Sequence, residues 1–131
     1  MSRKTKFNQL KDLYAILLGP KGCLWDRKQT HRSLIPYLKE ETGEFIAAVR
    51  KNNPAHMQEE LGDILLQVMF HSELARREQR FDIEDVIETL IKKLKRRHPH
   101  VFGNTKARST RQIKANWAKI KLMEKLNRKN T

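Results

Sequence analysis

The sequence predicts an all-α fold, a bundle of about five helices, and three features carry that prediction. Apolar residues return at steps of three and four along most of the chain, capping residues and Pro or Gly breakers fall between those stretches, and nothing alternates with the two-residue period of a strand. The 131 residues, 38% hydrophobic and 33% charged, suit a single domain over 1–131. A domain of this size removes roughly 65–70% of its unfolded surface from water, so it needs no disulfide or structural metal to hold it together.

Phe7, Leu10, Leu13, Tyr14 and Leu17 keep helical spacing, and Gly19-Pro20 ends that first helix. Residues 19–29 read as an irregular loop. A second helix starts at Thr30 or Ser33, tolerates Pro36 near its first turns, and buries Leu34, Leu38, Phe45 and Val49. Asn52-Asn53-Pro54 closes it, and Asn53 then caps a third helix with Pro54 in its first position, running through Met57, Leu61, Ile64, Leu65, Val68 and Met69 toward Arg77. Asp82 caps a fourth, whose Ile83, Val86, Ile87, Leu90, Ile91 and Leu94 follow the helical period. Residues 98–109 break the pattern. Ser109 with Gln112 then resembles a capping box, and Ile113, Trp117 and Ile120 mark a last helix expected to fray in the Lys/Asn tail from about 126.

The formal charge of +13 is unevenly placed. Residues 1–91 carry 14 basic and 14 acidic side chains, whereas residues 92–131 carry 14 basic ones and a single acid, Glu124. An electrically balanced body is thus followed by a basic segment suited to phosphates or nucleic acid, or to a solvated surface helix. One cysteine, Cys23, excludes an internal disulfide framework, and a reducing, cytoplasmic setting is expected. The longest nearly apolar stretch, residues 64–70, is interrupted by Gln67 and falls far short of the ~20 residues that span a bilayer. The residues after Met1 do not read as a secretory leader, so a soluble protein with no membrane partner is expected.

Two acidic pairs carry the chemistry: Glu41 with Glu44, and Glu60 with Asp63. Each is i, i+3, which turns both side chains to one helix face, so two antiparallel neighbours can present four carboxylates to one hard cation such as Mg²⁺. Glu40 and Glu59 adjoin the pairs but point about 100° away from Glu41 and Glu60. From Leu61 to Phe70 only Asp63 and Gln67 are strongly polar, so the third helix is apolar nearly all round and is expected in an interior. A polar stripe of Glu60, Asp63, Gln67 and His71 there would cost several kcal/mol per unpaired ion unless its charge is compensated. A bound cation would do so. Lys93 and Arg97, i, i+4 on the fourth helix, are the competing answer, with Lys92 and Arg96 pointing outward. Clustered acids beside fixed cations suit a metal-bound phosphate ester or anhydride.

Glu40-Glu41-Thr42-Gly43-Glu44, a fifteen-residue gap and Glu60-Leu61-Gly62-Asp63 resemble the EExxE…ExxD signature of MazG-type nucleotide pyrophosphohydrolases. Cys23-Leu24-Trp25-Asp26 with Gln29-Thr30, Pro36-Tyr37, the run Arg96-Arg97-His98-Pro99-His100-Val101-Phe102-Gly103, and Asn116-Trp117-Ala118-Lys119-Ile120-Lys121 are similar to further blocks of that family in the same order. The likeness covers about residues 20–125. It implies an all-α bundle, usually a homodimer, that hydrolyses nucleoside triphosphates to a monophosphate and pyrophosphate. By the same resemblance Glu41, Glu44, Glu60 and Asp63 hold Mg²⁺, with Mn²⁺ as a substitute, and Glu40 orients or deprotonates the attacking water. Lys93, Arg97, Trp117 and Lys121 correspond to positions contacting the nucleotide or its phosphates.

Other readings stand beside these. Trp117 also suits core packing against Ile113 and Ile120, and Trp25, near Lys21, Arg27 and Lys28, either stacks a base or anchors its loop. His98-Pro99-His100 reads as a structural turn for want of a third ligand, and Cys23 receives no catalytic role. Leu24, Gly43 and Asn104 depart from the family pattern; Gly43, inside a metal-binding helix, costs about 1 kcal/mol of propensity and opens space beside the carboxylates. The rival to an enzyme is a non-catalytic nucleic-acid-binding or regulatory helical protein that uses the basic final forty residues. A homodimer is expected because one small bundle does not cover the third helix's apolar circumference.

Overall fold

The computed structural model describes residues 4–129. Among them are seven helices and no strand: α1 (Lys6–Leu17), α2 (Leu24–Arg27), α3 (Ile35–Arg50), α4 (Pro54–Arg77), α5 (Ile83–Arg97), α6 (Pro99–Phe102) and α7 (Thr110–Lys129). The all-α expectation holds, and the five expected helices are the five long ones. The other two, α2 and α6, are four-residue turns within stretches that read as irregular. The residues fall into two compact units that divide after Ile83. None of the helices is long and apolar enough to cross a membrane.

In the first unit the Thr5 hydroxyl accepts the Asn8 N–H at 3.1 Å and opens α1. The chain then folds back tightly, with the Cys23 N–H donating to the Leu17 carbonyl at 2.8 Å. A Cβ on Gly22 would lie 2.0 Å from that carbonyl oxygen, so only glycine fits there. In a separate turn the Ser33 hydroxyl accepts the Thr30 N–H at 2.8 Å and the Thr30 hydroxyl accepts the Ser33 N–H at 3.0 Å. As a result α3 begins at Ile35, later than its sequence predicts, with Pro36 in its first turn.

Asn52 takes φ 50°, and the Asn52 and Asn53 N–H groups bond the Val49 and Ala48 carbonyls at 3.0 and 3.2 Å, a Schellman ending. Asn53 then caps α4 by accepting the His56 N–H at 3.2 Å. Three residues therefore turn the chain from α3 into α4, and the two helices pack as a hairpin.

The core of this unit is Tyr14, Leu18 and Leu34 against Met69, Phe70, Leu74 and Ala75, with the Tyr14 and Phe70 ring centroids 5.7 Å apart. Of the stripe predicted for α3, Leu34 is buried, whereas Leu38 and Val49 are 37% and 45% exposed. The α4 expectation is also only half met. Its buried residues run from Gln67 to Ala75, whereas Leu61 and Leu65 remain 49% and 43% exposed because α1 and α3 cover only part of its circumference.

In the second unit, from Glu84 on, no described residue is fully buried. Ser109 accepts the Gln112 N–H at 3.2 Å as expected, but the Gln112 side chain bonds the Arg108 N–H at 2.9 Å, one residue short of a capping box. Helix α7 continues to Lys129, beyond the point where fraying was expected.

Gly43 sits mid-way along α3, and a Cβ there would meet nothing within 4 Å. Gly43→Ala is therefore expected to raise unfolding stability by about 1 kcal/mol, read as a higher urea midpoint at unchanged m-value.

Candidate metal centre

Helix α3 supplies Glu41 and Glu44, and α4 supplies Glu60 and Asp63. One carboxylate oxygen from each lies within 4.8 Å of the others. Two i, i+3 pairs on the facing sides of a hairpin produce this convergence. Glu44 is exposed and the other three are half-buried. Among the described residues, no N–H or hydroxyl donor reaches the buried Oε2 of Glu41, Oε2 of Glu60 or Oε1 of Gln67, one turn beyond Asp63.

Burial, then the neighbouring charges of Asp63 and Glu44, push the Glu41 carboxyl up to about 7. Burial and contact with Glu44 raise Glu60 as well. Without a counter-charge the cluster keeps protons that isolated carboxylates would release. An all-oxygen donor set with orphaned buried atoms and strained ionisation fits a hard divalent cation.

The rest of the α4 stripe has a different partner. His71 meets His31 Nδ1 to Nδ1 at 2.8 Å, with the rings 11° from parallel, and His31 Nε2 lies 3.2 Å from Glu78. Such an approach needs one protonated and one bare nitrogen. Burial and the adjacent His31 hold His71 below its usual range. Nothing in the spacing of positions 31, 71 and 78 announces this chain.

Glu40 is an exposed neighbour of Glu41 on α3. Trp25, 49% exposed, packs edge-on against Tyr37 with centroids 5.6 Å apart. In the second unit Lys93 and Arg97 are half-buried and line a cavity of about 620 Å³ with Lys119, Met123 and Glu124 of α7. Lys121 is exposed and is not among the residues lining it. Trp117 is half-buried, stands edge-on to His98 at 5.6 Å, and has a buried Nε1 without a partner. His98 Nδ1 bonds the Leu94 carbonyl at 2.6 Å, as suits a structural turn. Cys23 is free and exposed.

Arg96 is exposed, as its outward placement predicts, yet its Nε donates to Glu124 at 2.7 Å, and Arg97 donates to the same carboxylate from Nη2 at 2.9 Å. The signal for Glu124 was its isolation as the one acid in a basic stretch.

A helical hairpin that brings four carboxylates to one point defines an all-α protein with an acidic centre able to bind a metal. The family model for the MazG nucleotide pyrophosphohydrolase domain matches residues 29–102, and the chain belongs to that family. It is 51% identical over 125 residues to the nucleoside triphosphate pyrophosphohydrolase/pyrophosphatase MazG of Thermotoga maritima, covering 95% of this chain and 48% of that protein. It is 40% identical over 104 residues to the nucleoside triphosphate pyrophosphohydrolase of Escherichia coli K12, covering 79% of this chain and 40% of that one. The chain thus spans about half, or less, of the length of these relatives. A crystal structure of a mazG-related protein from Thermotoga maritima superposes with a TM-score of 0.70 at 28% identity, covering 88% of this chain and 97% of that one.

Because the Glu41 carboxyl lies higher in the folded chain than its ordinary 4.5, its contribution to stability is full below that value and is lost as pH rises through about 7. His71, shifted downward, acts in the opposite sense and cancels in the difference between wild type and Glu41→Gln, which reads the Glu41 carboxyl together with its effect on Glu60. With divalent ions chelated, the melting temperature of wild type relative to Glu41→Gln is expected to fall between pH 4.5 and about 7 and to level off above that, and saturating Mg²⁺ should remove that fall.

Proposed function

We propose that this chain is a Mg²⁺-dependent nucleoside triphosphate pyrophosphohydrolase that converts a nucleoside triphosphate to the monophosphate and pyrophosphate. The observation that carries this reading is the convergence of Glu41, Glu44, Glu60 and Asp63 with two orphaned buried oxygens. These four would hold Mg²⁺, with Mn²⁺ as the natural substitute, and the ion supplies Lewis-acid polarisation of the phosphate oxygens. Glu40 orients the attacking water and takes its proton as oxygen bonds to a phosphorus of the α–β linkage. The bridging P–O bond breaks and pyrophosphate leaves. Lys93, Arg97 and Lys121 offset the charge of the polyphosphate, and Trp117 and Trp25 offer aromatic faces to the base. The setting proposed is cytoplasmic, where nucleotides and Mg²⁺ are abundant.

A homodimer is part of the proposal. Leu61, Leu65, Leu66 and Val68 on α4 are each more than a third exposed, a run of apolar surface that a monomer rarely leaves in water. Sedimentation at micromolar concentration should find two copies, and Leu65→Glu should shift the population toward monomer. The basic α7 supports a second reading, retention on nucleic acid, which predicts binding that falls steeply with salt and is indifferent to the carboxylates.

Incubation with triphosphates and Mg²⁺, followed by phosphorus NMR, should show monophosphate and pyrophosphate in equal amounts; orthophosphate without pyrophosphate would refute the reaction. Glu60→Gln and Asp63→Asn should each lower turnover by at least about 100-fold without lowering the melting temperature of the metal-free protein.

A further inference from the structure

We propose that Glu124 is a positioning residue of the phosphate-binding arm, gripping the Nε edges of Arg96 and Arg97 so that their terminal nitrogens are presented together to the phosphates of the substrate. This rests on the reading above, in which the α5 cations meet the polyphosphate. All the residues involved lie in the second compact unit.

Both oxygens of Glu124 are engaged. Oε2 accepts from Arg96 Nε at 2.7 Å and from Arg97 Nε at 3.4 Å, and Oε1 accepts from Arg97 Nη2 at 2.9 Å. The carboxylate therefore takes one edge of Arg97 as a fork and touches Arg96 only at its inner nitrogen. Each guanidinium has five N–H donors in a rigid plane, so both keep terminal donors beyond those given to Glu124 while their planes are fixed. The Glu124 side chain is only 12% exposed, against 50% for Arg96 and 23% for Arg97. The two arginines hold its carboxyl down to about 2, so the grip persists at any pH at which the enzyme would work.

The same residues line the cavity of about 620 Å³, together with Lys93 and Lys119. One carboxylate among these cations leaves the cavity positive, so Glu124 does not abolish its attraction for a polyanion. What it does is keep two adjacent like charges from splaying apart. A residue whose only roles were structural or electrostatic would act differently: deleting its negative charge would leave phosphate binding unchanged or tighter. Positioning predicts the opposite sign.

The test uses the full chain. Titration calorimetry with inorganic triphosphate under chelation should show binding by wild type, weakened about tenfold in Glu124→Gln and less in Glu124→Asp, which keeps the charge one methylene back. With a nucleoside triphosphate and Mg²⁺, Glu124→Gln should raise KM by a similar factor and leave kcat within about twofold. Adding Glu124→Gln to Arg96→Gln/Arg97→Gln should change affinity less than about twofold further, because the acid acts through those arginines.

Unchanged or tighter triphosphate binding by folded Glu124→Gln overturns the proposal, as does wild type that does not bind triphosphate. If Glu124→Gln does not fold, the same sign is read on Glu124→Asp, where undiminished affinity is the overturning result. Wild type that binds triphosphate but releases no pyrophosphate from nucleotides refutes the reaction and leaves the calorimetry to judge Glu124. Normal turnover with an unmoved KM in Glu124→Gln refutes the positioning role alone.

Discussion

Four carboxylates whose oxygens lie within 4.8 Å of one another repel, and the α3–α4 hairpin holds them there regardless. The rest of the first unit is organised to sustain this opposition. Helix α1 and the lower half of α4 build the hydrophobic core around Tyr14, Met69 and Phe70, away from the acids. That packing opposes the electrostatic pressure at the other end of the same helix. The raised affinity of Glu41 and Glu60 for protons follows from this crowding, and a divalent ion held by the four acids would relieve it by taking the place of those protons.

The parts of this arrangement that depend on local rules were legible in the residues. The i, i+3 pairs, the Asn53 cap and Pro54 at the head of α4 each follow from helix geometry and the chemistry of one or two side chains. The all-α class follows from periodicity for the same reason. Burial was less legible. The apolar circumference of α4 indicated an interior position, yet Leu61 and Leu65 lie at the surface of the single chain, because periodicity says which residues are apolar and not what covers them.

Contacts that join distant positions were the least legible. His31 and His71 stand forty residues apart, and Glu124 reaches back to Arg96 and Arg97 across the segment that carries α6. Helical angle alone places Arg96 in solvent, where half of it lies, and gives no sign that its inner nitrogen also reaches the largely covered carboxylate of Glu124. Helix α3 starts later than its capping residues predict because Thr30 and Ser33 satisfy each other in a turn of their own. In each case a partner from elsewhere in the fold, or an alternative local hydrogen bond, competed with the simplest reading of the helix.

The turn between α3 and α4 is short, exposed and made of ordinary polar residues, which would usually make it a region tolerant of change. Here it sets a phase. One residue added between Lys51 and Asn53 would break the left-handed ending at Asn52 and reset the rotation of α4 against α3, by about 100° if the added residue continued a helix. The acids would then face different directions with their chemistry unaltered, so length variation in related chains should be rarer at this surface bend than in the segment joining α6 to α7.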